Sequence, residues 1–597
     1  MKEKHNSLLL WPIIFALGFI PMIVHMYTYN CNLAQFDWFP NGSETQTDFF
    51  LYYKMVALVI TAGVMVCVLL YKLYAKKKDL KWNHIWFVFM TYAILVALSA
   101  LFSNYKYFVM HGSYEVFESV WVVLGYVVLA FYTYQFVNNE NDVKYIFKFA
   151  GIGMLIITVI GFLQYLGWDF FRTGFGKRLI TNPSYWPQVD SLSFTFPLKT
   201  SYTTLYNTNY LAFYYGLLIP ILAMLCIFSK GWKKKVVYGF LAILSLGTLI
   251  GSNSKSALLA LAITALLACV LLGRYLKKFW WMFLVVITAI IVLIASYANR
   301  LGGMSNLISL FTTGIDADIS KNPVKDVQTN DSDIVFVLDD YELHFQYAAD
   351  DASGYAECFV NDQDGNPVEY TYDEASMLYT LKLNDESAPA CTFSLIYIDD
   401  KIGLNINIDN QKWYFAQLDD GYYYYNAFGK YVKTEHIEHS NVLKDGIFSG
   451  RGLLWNFLIP RLKNHMILGS GANTFTMVYP QNNYVNKMYW GSQGLFDVKA
   501  HSFYFQQWAE NGLLALISII VLYIWYFIQS FKLYFKQKEY TFTSIVGQGI
   551  FLGSFCYMIS AVTNDSNVNT APVFWILLGM GIAINEIVKK TNAEATA

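Results

Sequence analysis

Residues 85–102 read IWFVFMTYAILVALSALF, eighteen consecutive residues without a charged side chain. About 20 apolar residues in a helix span the roughly 30 Å hydrocarbon core of a bilayer, so this stretch predicts a transmembrane helix. Eleven further apolar stretches bring the predicted number of spans to twelve. The twelve predicted spans are residues 8–27, 49–70, 85–102, 116–137, 146–166, 209–228, 236–250, 257–272, 279–297, 512–530, 543–562 and 571–588.

The composition of the 597-residue chain excludes an ordinary soluble enzyme. Hydrophobic residues make up 55% and charged residues only 14%, whereas soluble domains carry about 25% charge. The net charge is only -1, but acidic and basic residues are concentrated in different parts of the chain. Residues 316–439 hold 25 acidic and 7 basic side chains, and the rest of the chain holds 18 acidic and 35 basic ones. The sequence therefore predicts a basic membrane part and a separate acidic domain.

Lysine and arginine occur in alternate connections between the predicted spans. Cytoplasmic loops of membrane proteins carry an excess of these residues, so the pattern places both termini inside and the acidic domain outside. The residues that set this orientation are Lys2, Lys4, Lys76, Lys77, Lys78, Lys81, Lys144, Lys233, Lys234, Lys235, Arg274, Lys277, Lys278, Lys532, Lys536, Lys538, Lys589 and Lys590.

The acidic insertion predicts an antiparallel β domain. Short runs that alternate β-branched or aromatic residues with polar ones, such as residues 392–397 and 404–408, are separated by turn sequences such as Asp420-Gly421. The tyrosines at 422–425 fit either strand packing or a sugar-stacking platform. Cys358 and Cys391 fit either a disulfide or two free thiols. The predicted parts are helices one to nine in 1–315, the β domain in 316–445, an outer loop and helix in 446–511, and helices ten to twelve in 512–597.

Several predicted outer connections break the charge rule. Lys255 stands in the polar hexapeptide GSNSKS between the seventh and eighth spans. Its ammonium group either extends to the lipid headgroups or binds an anion. Similar cations flank the fifth and sixth spans and follow the acidic domain, and several of them together favour a bound diphosphate. These further cations are Arg172, Lys177, Arg178, Lys199, Arg451, Arg461 and Lys463.

His501 is a candidate catalytic group just before the tenth span. If this segment is helical, His501, Phe505 and Trp508 share one face at about 100° per residue. Such a histidine is either a polar group satisfied by its neighbours or a proton acceptor for a sugar hydroxyl, since its titration range suits general-base chemistry.

Three stretches of the chain resemble the O-antigen ligase and polymerase superfamily of bacterial membrane glycosyltransferases. Residues 203–212, TTLYNTNYLA, are similar to the family's G-T-x-G-N-P-N-x-L-A, with Thr203 and Tyr206 at the positions of the glycines. Residues 254–259, SKSALL, are similar to S-R-G-A-x-L, with Lys255 in place of arginine.

The third stretch begins at Arg451 and ends in His501-Ser502, nine residues and Gly512. It is similar to the ligase pattern H-[NSQ]-x9-G-x-x-[GTY], with Ala515 in the last place. Between its ends lie the residues Trp455, Gly469, Gly471 and Phe475.

The resemblance implies an all-α polytopic membrane protein of the GT-C type in a bacterial cytoplasmic membrane. It does not cover the acidic β domain, which the residue pattern alone predicts as an insertion on the outer side. It implies inverting transfer of a glycan from a polyprenyl diphosphate to an acceptor hydroxyl of a glycan, lipid or protein, without metal or other cofactor. Membrane lipids are the remaining expected partner, and no nucleic acid is expected. On this hypothesis Lys199, Lys255 and Arg451 bind the diphosphate and His501 activates the acceptor. Residues expected to shape the site are Asn207, Asn209, Arg172, Arg178 and Arg461.

Two alternatives remain open at the level of sequence. A repeat-unit polymerase uses the same donor chemistry as a ligase and differs in its acceptor. A polysaccharide exporter or flippase also has about twelve spans, although the first and last six spans show no internal repeat and the unexplained cations gather on one face.

Overall fold

The computed structural model describes residues 7–76, 79–112, 114–273, 319–350, 355–383, 389–535, 537 and 539–594. Eight helices in these residues are long and apolar enough to cross a membrane, and three shorter apolar helices accompany them. Each of the eleven coincides with one of the predicted spans. The predicted ninth span, residues 279–297, lies outside the described residues.

The helices are numbered in chain order. Before the acidic insertion they are α1 Ser7–Met22, α2 Tyr52–Ala75, α3 Ile85–Phe102, α4 Lys106–His111, α5 Val120–Phe136, α6 Glu140–Leu166, α7 Gly174–Ile180, α8 Thr208–Phe228, α9 Trp232–Gly251 and α10 Lys255–Leu271. After it they are α11 Ile447–Leu462, α12 Phe475–Val478, α13 Tyr484–Tyr489, α14 Phe503–Asn511, α15 Leu513–Phe535, α16 Phe542–Ser560 and α17 Ala571–Glu594.

The helical bundle has inner and outer members. The most apolar stretch of each helix is buried to a different extent. Its buried share is 89% in α17, 78% in α16 and 67% in α8, but only 22% in α2 and α9. Small residues allow the inner helices to approach closely. A Cβ added at Gly549 or Gly553 of α16 would lie 2.6 Å from an α8 backbone atom, Ile221 Cα and Leu217 O respectively. The outer helices leave apolar faces exposed, as expected for contact with lipid.

The acidic insertion folds as two antiparallel sheets, which confirms the predicted β structure. The strands of the insertion are β3 Val324–Thr329, β4 Ile334–Leu338, β5 Glu342–Asp350, β6 Tyr355–Asp362, β7 Tyr370–Asp373, β8 Leu378–Leu381, β9 Cys391–Ile398, β10 Lys401–Ile408, β11 Gln411–Leu418, β12 Gly421–Tyr425 and β13 Tyr431–Val432. They follow β1 Tyr27–Asn30 and β2 Thr45–Asp48, which form a hairpin near the N-terminus. Strands β3 to β6 form one sheet in chain order, and β7 to β13 form the other.

One hydrophobic core joins the two sheets. The ring of Phe336 on β4 lies 5.8 Å, centroid to centroid, from those of both Trp413 and Phe415 on β11. Tyr422 packs into the same core and donates a hydrogen bond to the Tyr347 carbonyl oxygen at 2.9 Å, so it is a packing residue. The two thiols left open by the sequence, Cys358 and Cys391, are both free and buried.

The β sheets are attached to the N-terminal segment that follows α1. Lys430 Nζ donates to the carbonyl oxygens of Ala34 at 2.7 Å and Phe36 at 2.8 Å. Asn426 Nδ2 donates to the carbonyl oxygen of Asp37 at 3.0 Å. These bonds fix the acidic domain to the bundle.

Candidate functional site

A cluster of polar side chains joins three interhelical loops at the end of the bundle where α8 begins and α9 ends. Asn209, Ser254, Ser256, His501, Asn564 and Asp565 form this polar cluster. Ser254 Oγ donates to Asn209 Oδ1 at 3.2 Å and lies 3.3 Å from Ser256 Oγ. Asn564 Nδ2 donates to Ser256 Oγ at 3.2 Å. Three of the sequence segments singled out above therefore meet in space.

A histidine–aspartate pair completes the cluster. His501 Nδ1 lies 3.2 Å from Asp565 Oδ2. The aspartate side chain is only 4% exposed, whereas the histidine side chain is 46% exposed. This contact suits the tautomer that carries its proton on Nδ1 and donates it to the carboxylate, and in that tautomer Nε2 has a free lone pair. This arrangement leaves a proton acceptor at the accessible edge of the ring.

The backbone places His501 outside the helix on which the sequence put it. Helix α14 begins at Phe503, and His501 itself has φ +51°, in the left-handed region. The predicted shared face with Phe505 and Trp508 is therefore wrong for His501. A non-glycine residue in this region is costly and persists where the surrounding structure holds it.

Cross-links between α14 and residues 561–566 hold the pair together. Phe503 N donates to the carbonyl oxygens of Ala561 at 3.0 Å and Asn564 at 2.8 Å. Ser566 N donates to Gln506 Oε1 at 3.0 Å. His501 and Asp565 thus belong to two segments that are bonded directly beside the pair, which limits their relative movement.

A buried lysine connects the same loop to the segment before α8. Lys54 of α2 donates through Nζ to Asn569 Oδ1 at 2.5 Å and to the carbonyl oxygen of Thr204. A cation within a membrane helix is costly unless it is well bonded. Its partners indicate that Lys54 positions the two loops that form the cluster.

Two buried carboxylates lie behind the pair. Ser566 Oγ donates to Glu118 Oε1 at 2.8 Å, and Gln506 Nε2 lies 3.5 Å from Glu118 Oε2 and 3.4 Å from Glu510 Oε2. Burial raises the pKa of Glu510 to about 8, and the charge of Glu118 adds to the rise. When Glu510 is protonated, there is less negative charge near Asp565 than when it is ionised.

Arg451 is a cation within electrostatic range of Asp565. Burial lowers the pKa of Arg451, and the charge of Asp565 opposes that shift. Its Nη1 donates to the carbonyl oxygen of Phe448 at 3.0 Å, while its buried Nε has no hydrogen-bond partner in the part of the chain that the structure describes. The three residues before Arg451 all have positive φ, from +50° to +86°. Arg451 thus follows a strained turn, and the N–H group at its Nε is available to a ligand.

Lys499 is a second cation near Asp565. Its Nζ lies 3.8 Å from Glu115 Oε2 and 5.9 Å from the ring centroid of Tyr210. Burial alone would lower the pKa of Lys499, but Tyr210, Glu115, Tyr206 and Asp565 outweigh burial and raise it. The ammonium group therefore stays charged at neutral pH.

Lys255 supplies a third cation. It is the first residue of α10 and lies between Ser254 and Ser256, whose hydroxyl groups belong to the polar cluster. Among the residues that the structure describes, Lys255 has no hydrogen-bond or ion-pair partner. Its charge is free for a ligand.

The structure does not bring the other predicted cations to the cluster. Arg172 Nε pairs with Asp169 at 3.2 Å, and its guanidinium stacks on Phe194 at 5.2 Å. Arg178 is exposed at the surface of α7. Asp169 also accepts a hydrogen bond from Tyr202 at 2.6 Å, so Arg172 belongs to a separate group of bonded side chains after α6.

Lys199 and Arg461 also make no contact with the cluster in the described part of the chain. Lys199 is exposed, has φ +69° and packs beside Gly167 at the end of α6. Arg461 lies ten residues after Arg451 on α11, about 15 Å along the axis at 1.5 Å per residue.

The predicted site-shaping asparagines have different roles. Asn207 caps α8, because its Oδ1 accepts a hydrogen bond from Asn209 N at 2.8 Å. Asn209 itself belongs to the polar cluster. The two positions where the resembled family has glycine, Thr203 and Tyr206, have φ values of +54° and +73°. Glycine adopts this conformation without strain, which gives the family's pattern a physical reason.

An aromatic cavity of about 260 Å³ has Glu115, the ion-pair partner of Lys499, in its lining. Tyr202, Tyr206 and Phe196 contribute rings to its lining, and Asp48 and Glu115 contribute carboxylates. Aromatic faces and hydrogen-bond acceptors are groups that suit a sugar ring.

The sequence did not point to Asp565, Asn564 or Lys499. Residues 563–570, TNDSNVNT, are seven polar residues and one valine between two apolar spans, and all eight are buried. This run of polar residues was the sequence signal for Asn564 and Asp565. It contains no lysine or arginine, so an argument from unexpected cations does not include it. Lys499 lies only two residues before His501.

Comparisons with family models, with curated proteins and with solved structures found no match for this chain. The chemistry of the polar cluster therefore carries the functional proposal.

Proposed function

We propose that the protein is a membrane glycosyltransferase of the O-antigen ligase type. It transfers a glycan from a polyprenyl diphosphate to an acceptor hydroxyl at the outer face of the membrane. The observation that carries the proposal is the His501–Asp565 pair, with Arg451 and Lys499 within electrostatic range of Asp565 and Lys255 between two residues of the polar cluster.

The proposed reaction uses the free Nε2 of His501 as the general base. As the acceptor oxygen attacks the anomeric carbon, its proton passes to Nε2, and Asp565 stabilises the resulting imidazolium. The bond between the anomeric carbon and the phosphate oxygen breaks, and its electron pair stays on the diphosphate. Attack opposite to the leaving group inverts the anomeric configuration.

The cations stabilise the diphosphate leaving group. Fixed positive charges in a site with little water act strongly on charge that develops in the transition state. Lys255 Nζ has no hydrogen-bond or ion-pair partner among the described residues, and neither has the buried Nε of Arg451. In this proposal they perform the role that a divalent metal has in other transferases, and Lys499 takes part through its charge.

The aromatic cavity supports a glycan as the transferred group or as the acceptor. Its carboxylates accept hydrogen bonds from hydroxyl groups, and its rings cover the apolar face of a sugar. Glu115 links this cavity to Lys499, so a sugar bound there lies beside the proposed diphosphate site.

The test uses the purified chain in lipid vesicles, with a polyprenyl diphosphate-linked glycan and a panel of glycan, lipid and protein acceptors. We expect release of polyprenyl diphosphate together with a new glycosidic bond, at a rate that a chelator does not change. Movement of the intact lipid-linked glycan across the bilayer without bond formation would instead identify an exporter. Loss of long chains in cells that lack the protein would identify a polymerase, and accumulation of finished chains on their carrier would identify a ligase.

A further inference from the structure

A large cavity lies at the other end of the bundle. It measures about 1070 Å³ and lies between α6, α8, α9 and α16. One end of its lining is formed by Phe228, where α8 ends, and by Lys230 and Lys234, which lie on either side of the start of α9 at Trp232. The polar cluster is at the opposite ends of these two helices, so the proposed transfer reaction does not use this cavity.

The walls of the cavity change from basic to apolar along their length. On α6 the lining runs from Glu140 to Thr158, a distance of about 27 Å at 1.5 Å per residue. Beyond the lysines the lining is mostly aliphatic, with Leu218 and Leu222 of α8 on one side. One leaflet contributes about 15 Å to the hydrocarbon core. The cavity is therefore deep enough for the acyl chain of a lipid whose headgroup stays at the rim.

Unpaired positive charge surrounds the rim. Lys148, Lys230 and Lys234 are exposed and have no hydrogen bond or ion pair with any residue within the described ranges. Two carboxylates also line the cavity. Glu140 is already paired with Lys144 at 2.5 Å. The one remaining negative charge in the lining, on Glu539, is smaller than the positive charge of the three lysines.

We infer that this cavity binds an anionic phospholipid, with its phosphate at Lys148, Lys230 and Lys234 and an acyl chain between α6 and α9. The rim selects negative charge, and the apolar walls select a lipid over a soluble phosphate. The lysine end is the one that the charge pattern of the sequence predicts to face the cytoplasm, where anionic lipids are abundant. The lipid site is separate from the proposed transfer site and does not depend on it.

Gly151 allows the acyl-chain part of the site to be tested alone. It lines the cavity on α6, and a Cβ added there would meet no heavy atom within 4 Å. A Gly151→Phe variant therefore fills the cavity and leaves every lysine in place. Gly63 of α2 also has no heavy atom within 4 Å of an added Cβ, so Gly63→Phe is the matched control.

The experiment is native mass spectrometry of the full chain in detergent, with phosphatidylglycerol and phosphatidylcholine of identical acyl chains. We expect one phosphatidylglycerol to bind at least tenfold more tightly than phosphatidylcholine. The combined change Lys148→Gln, Lys230→Gln and Lys234→Gln should remove this preference. The same charge change at the exposed lysines Lys76, Lys532 and Lys590, which lie outside the cavity, should preserve it.

Gly151→Phe should weaken the tight binding of phosphatidylglycerol at least tenfold, and Gly63→Phe should not. Equal binding of the two lipids to the wild-type chain would overturn the proposal. Inorganic phosphate that displaces phosphatidylglycerol at equal concentration would do so as well, since it would show that the acyl chain contributes nothing. Unchanged binding by Gly151→Phe would show that the lipid lies elsewhere.

Discussion

At the scale of single residues, the exposure of the two partners defines what the His501–Asp565 pair can do. A buried carboxylate orients the imidazole, and the exposed edge of the ring is free for a substrate. The β domain contains further histidine–aspartate pairs, and in one of them His344 Nδ1 lies 2.7 Å from Asp333 Oδ2. That pair lies in the acidic domain, away from the three cations, and provides matched controls.

Asp565→Asn should lower kcat for glycan transfer by about 10²–10⁴. An asparagine removes the negative charge that stabilises the imidazolium and no longer fixes the proton on Nδ1. Steady-state kinetics with a lipid-linked donor measure the effect, and Asp333→Asn should leave kcat unchanged. Equal rates for Asp565→Asn and the wild type would remove the carboxylate from the mechanism.

Lys255→Met should lower kcat by roughly 10²–10³, the usual cost of losing one group that stabilises transition-state charge. Lys255→Arg should retain most of the rate, because it keeps the charge and can bind phosphate through two nitrogens. Lys463, an exposed residue paired with Glu438 at 3.3 Å, gives the control Lys463→Met. If Lys255→Met and Lys463→Met have the same kinetics, Lys255 does not contact the diphosphate.

The sequence could predict the site residues whose charge or titration range is unusual for their position in the predicted topology. Lys255 and Arg451 stood out because cations are rare in outer connections, and both lie near the polar cluster. Lys199 and Arg172 stood out for the same reason, but nothing in the sequence shows that Arg172 pairs with Asp169. The sequence did not predict Asp565, because an aspartate in a loop between two membrane helices is ordinary until its burial is known.

At the scale of elements, three glycines of the third sequence motif pack two segments together. Ser470 N donates to the carbonyl oxygen of Ala509 at 3.0 Å, and Gly471 N to that of Glu510 at 2.7 Å. A Cβ added at Gly469 would lie 2.2 Å from the carbonyl carbon of Glu510. The spacing in the motif therefore reflects a close backbone contact behind the candidate site.

Gly512→Ala should reduce the free energy of unfolding by more than about 2 kcal/mol, because it adds a left-handed alanine and an overpacked contact. Gly512 has φ +92°, and its added Cβ would lie 2.5 Å from the carbonyl oxygen of Ile467. The midpoint of thermal unfolding in detergent measures the loss. Gly494→Ala, where no atom lies within 4 Å and φ is not positive, should be nearly neutral. Equal midpoints for the two variants would contradict this explanation.

Element type was the most predictable feature of the fold. Long apolar runs fix the helices, and alternation with turn residues fixes the strands, because both patterns are local. The start of α14 was not predictable to the residue. Phe503 donates its backbone N–H to Ala561 and Asn564, so a tertiary contact places His501 before the helix.

At the scale of the whole molecule, burial of Glu510 makes stability depend on pH. Its pKa is about 8 in the folded protein and about 4.3 for an ordinary glutamate. Between these values the folded state holds a proton that the unfolded state has lost. The contribution of Glu510 is therefore greatest at low pH and falls by at most about 1.4 kcal/mol per unit as the pH rises towards 8.

Glu510→Gln should remove this part of the slope. We expect the midpoint of thermal unfolding to fall less between pH 5 and 8 in the variant than in the wild type. Glu374→Gln, at an exposed turn of the β domain, should keep the wild-type slope. A wild-type midpoint that rises over this range, or an unchanged slope in Glu510→Gln, would contradict the buried-proton explanation.

The whole chain thus carries a polar cluster at one end of its helical bundle and a basic lipid-sized cavity at the other. The sequence predicted the membrane helices and the separate β domain, because both follow from composition and period. Its orientation in the membrane stays a prediction. The meeting of residues from three interhelical loops at His501 could not be predicted, because it depends on how α8, α10, α14 and α16 pack.

The most direct test of the central claim is the transfer rate of the His501→Ala variant with a purified lipid-linked donor and an accepted hydroxyl. We predict a fall of at least about 10² relative to the wild type, with His344→Ala at the wild-type rate and both proteins equally well folded. Transfer by His501→Ala at the wild-type rate would contradict the claim that the polar cluster is the site of glycan transfer.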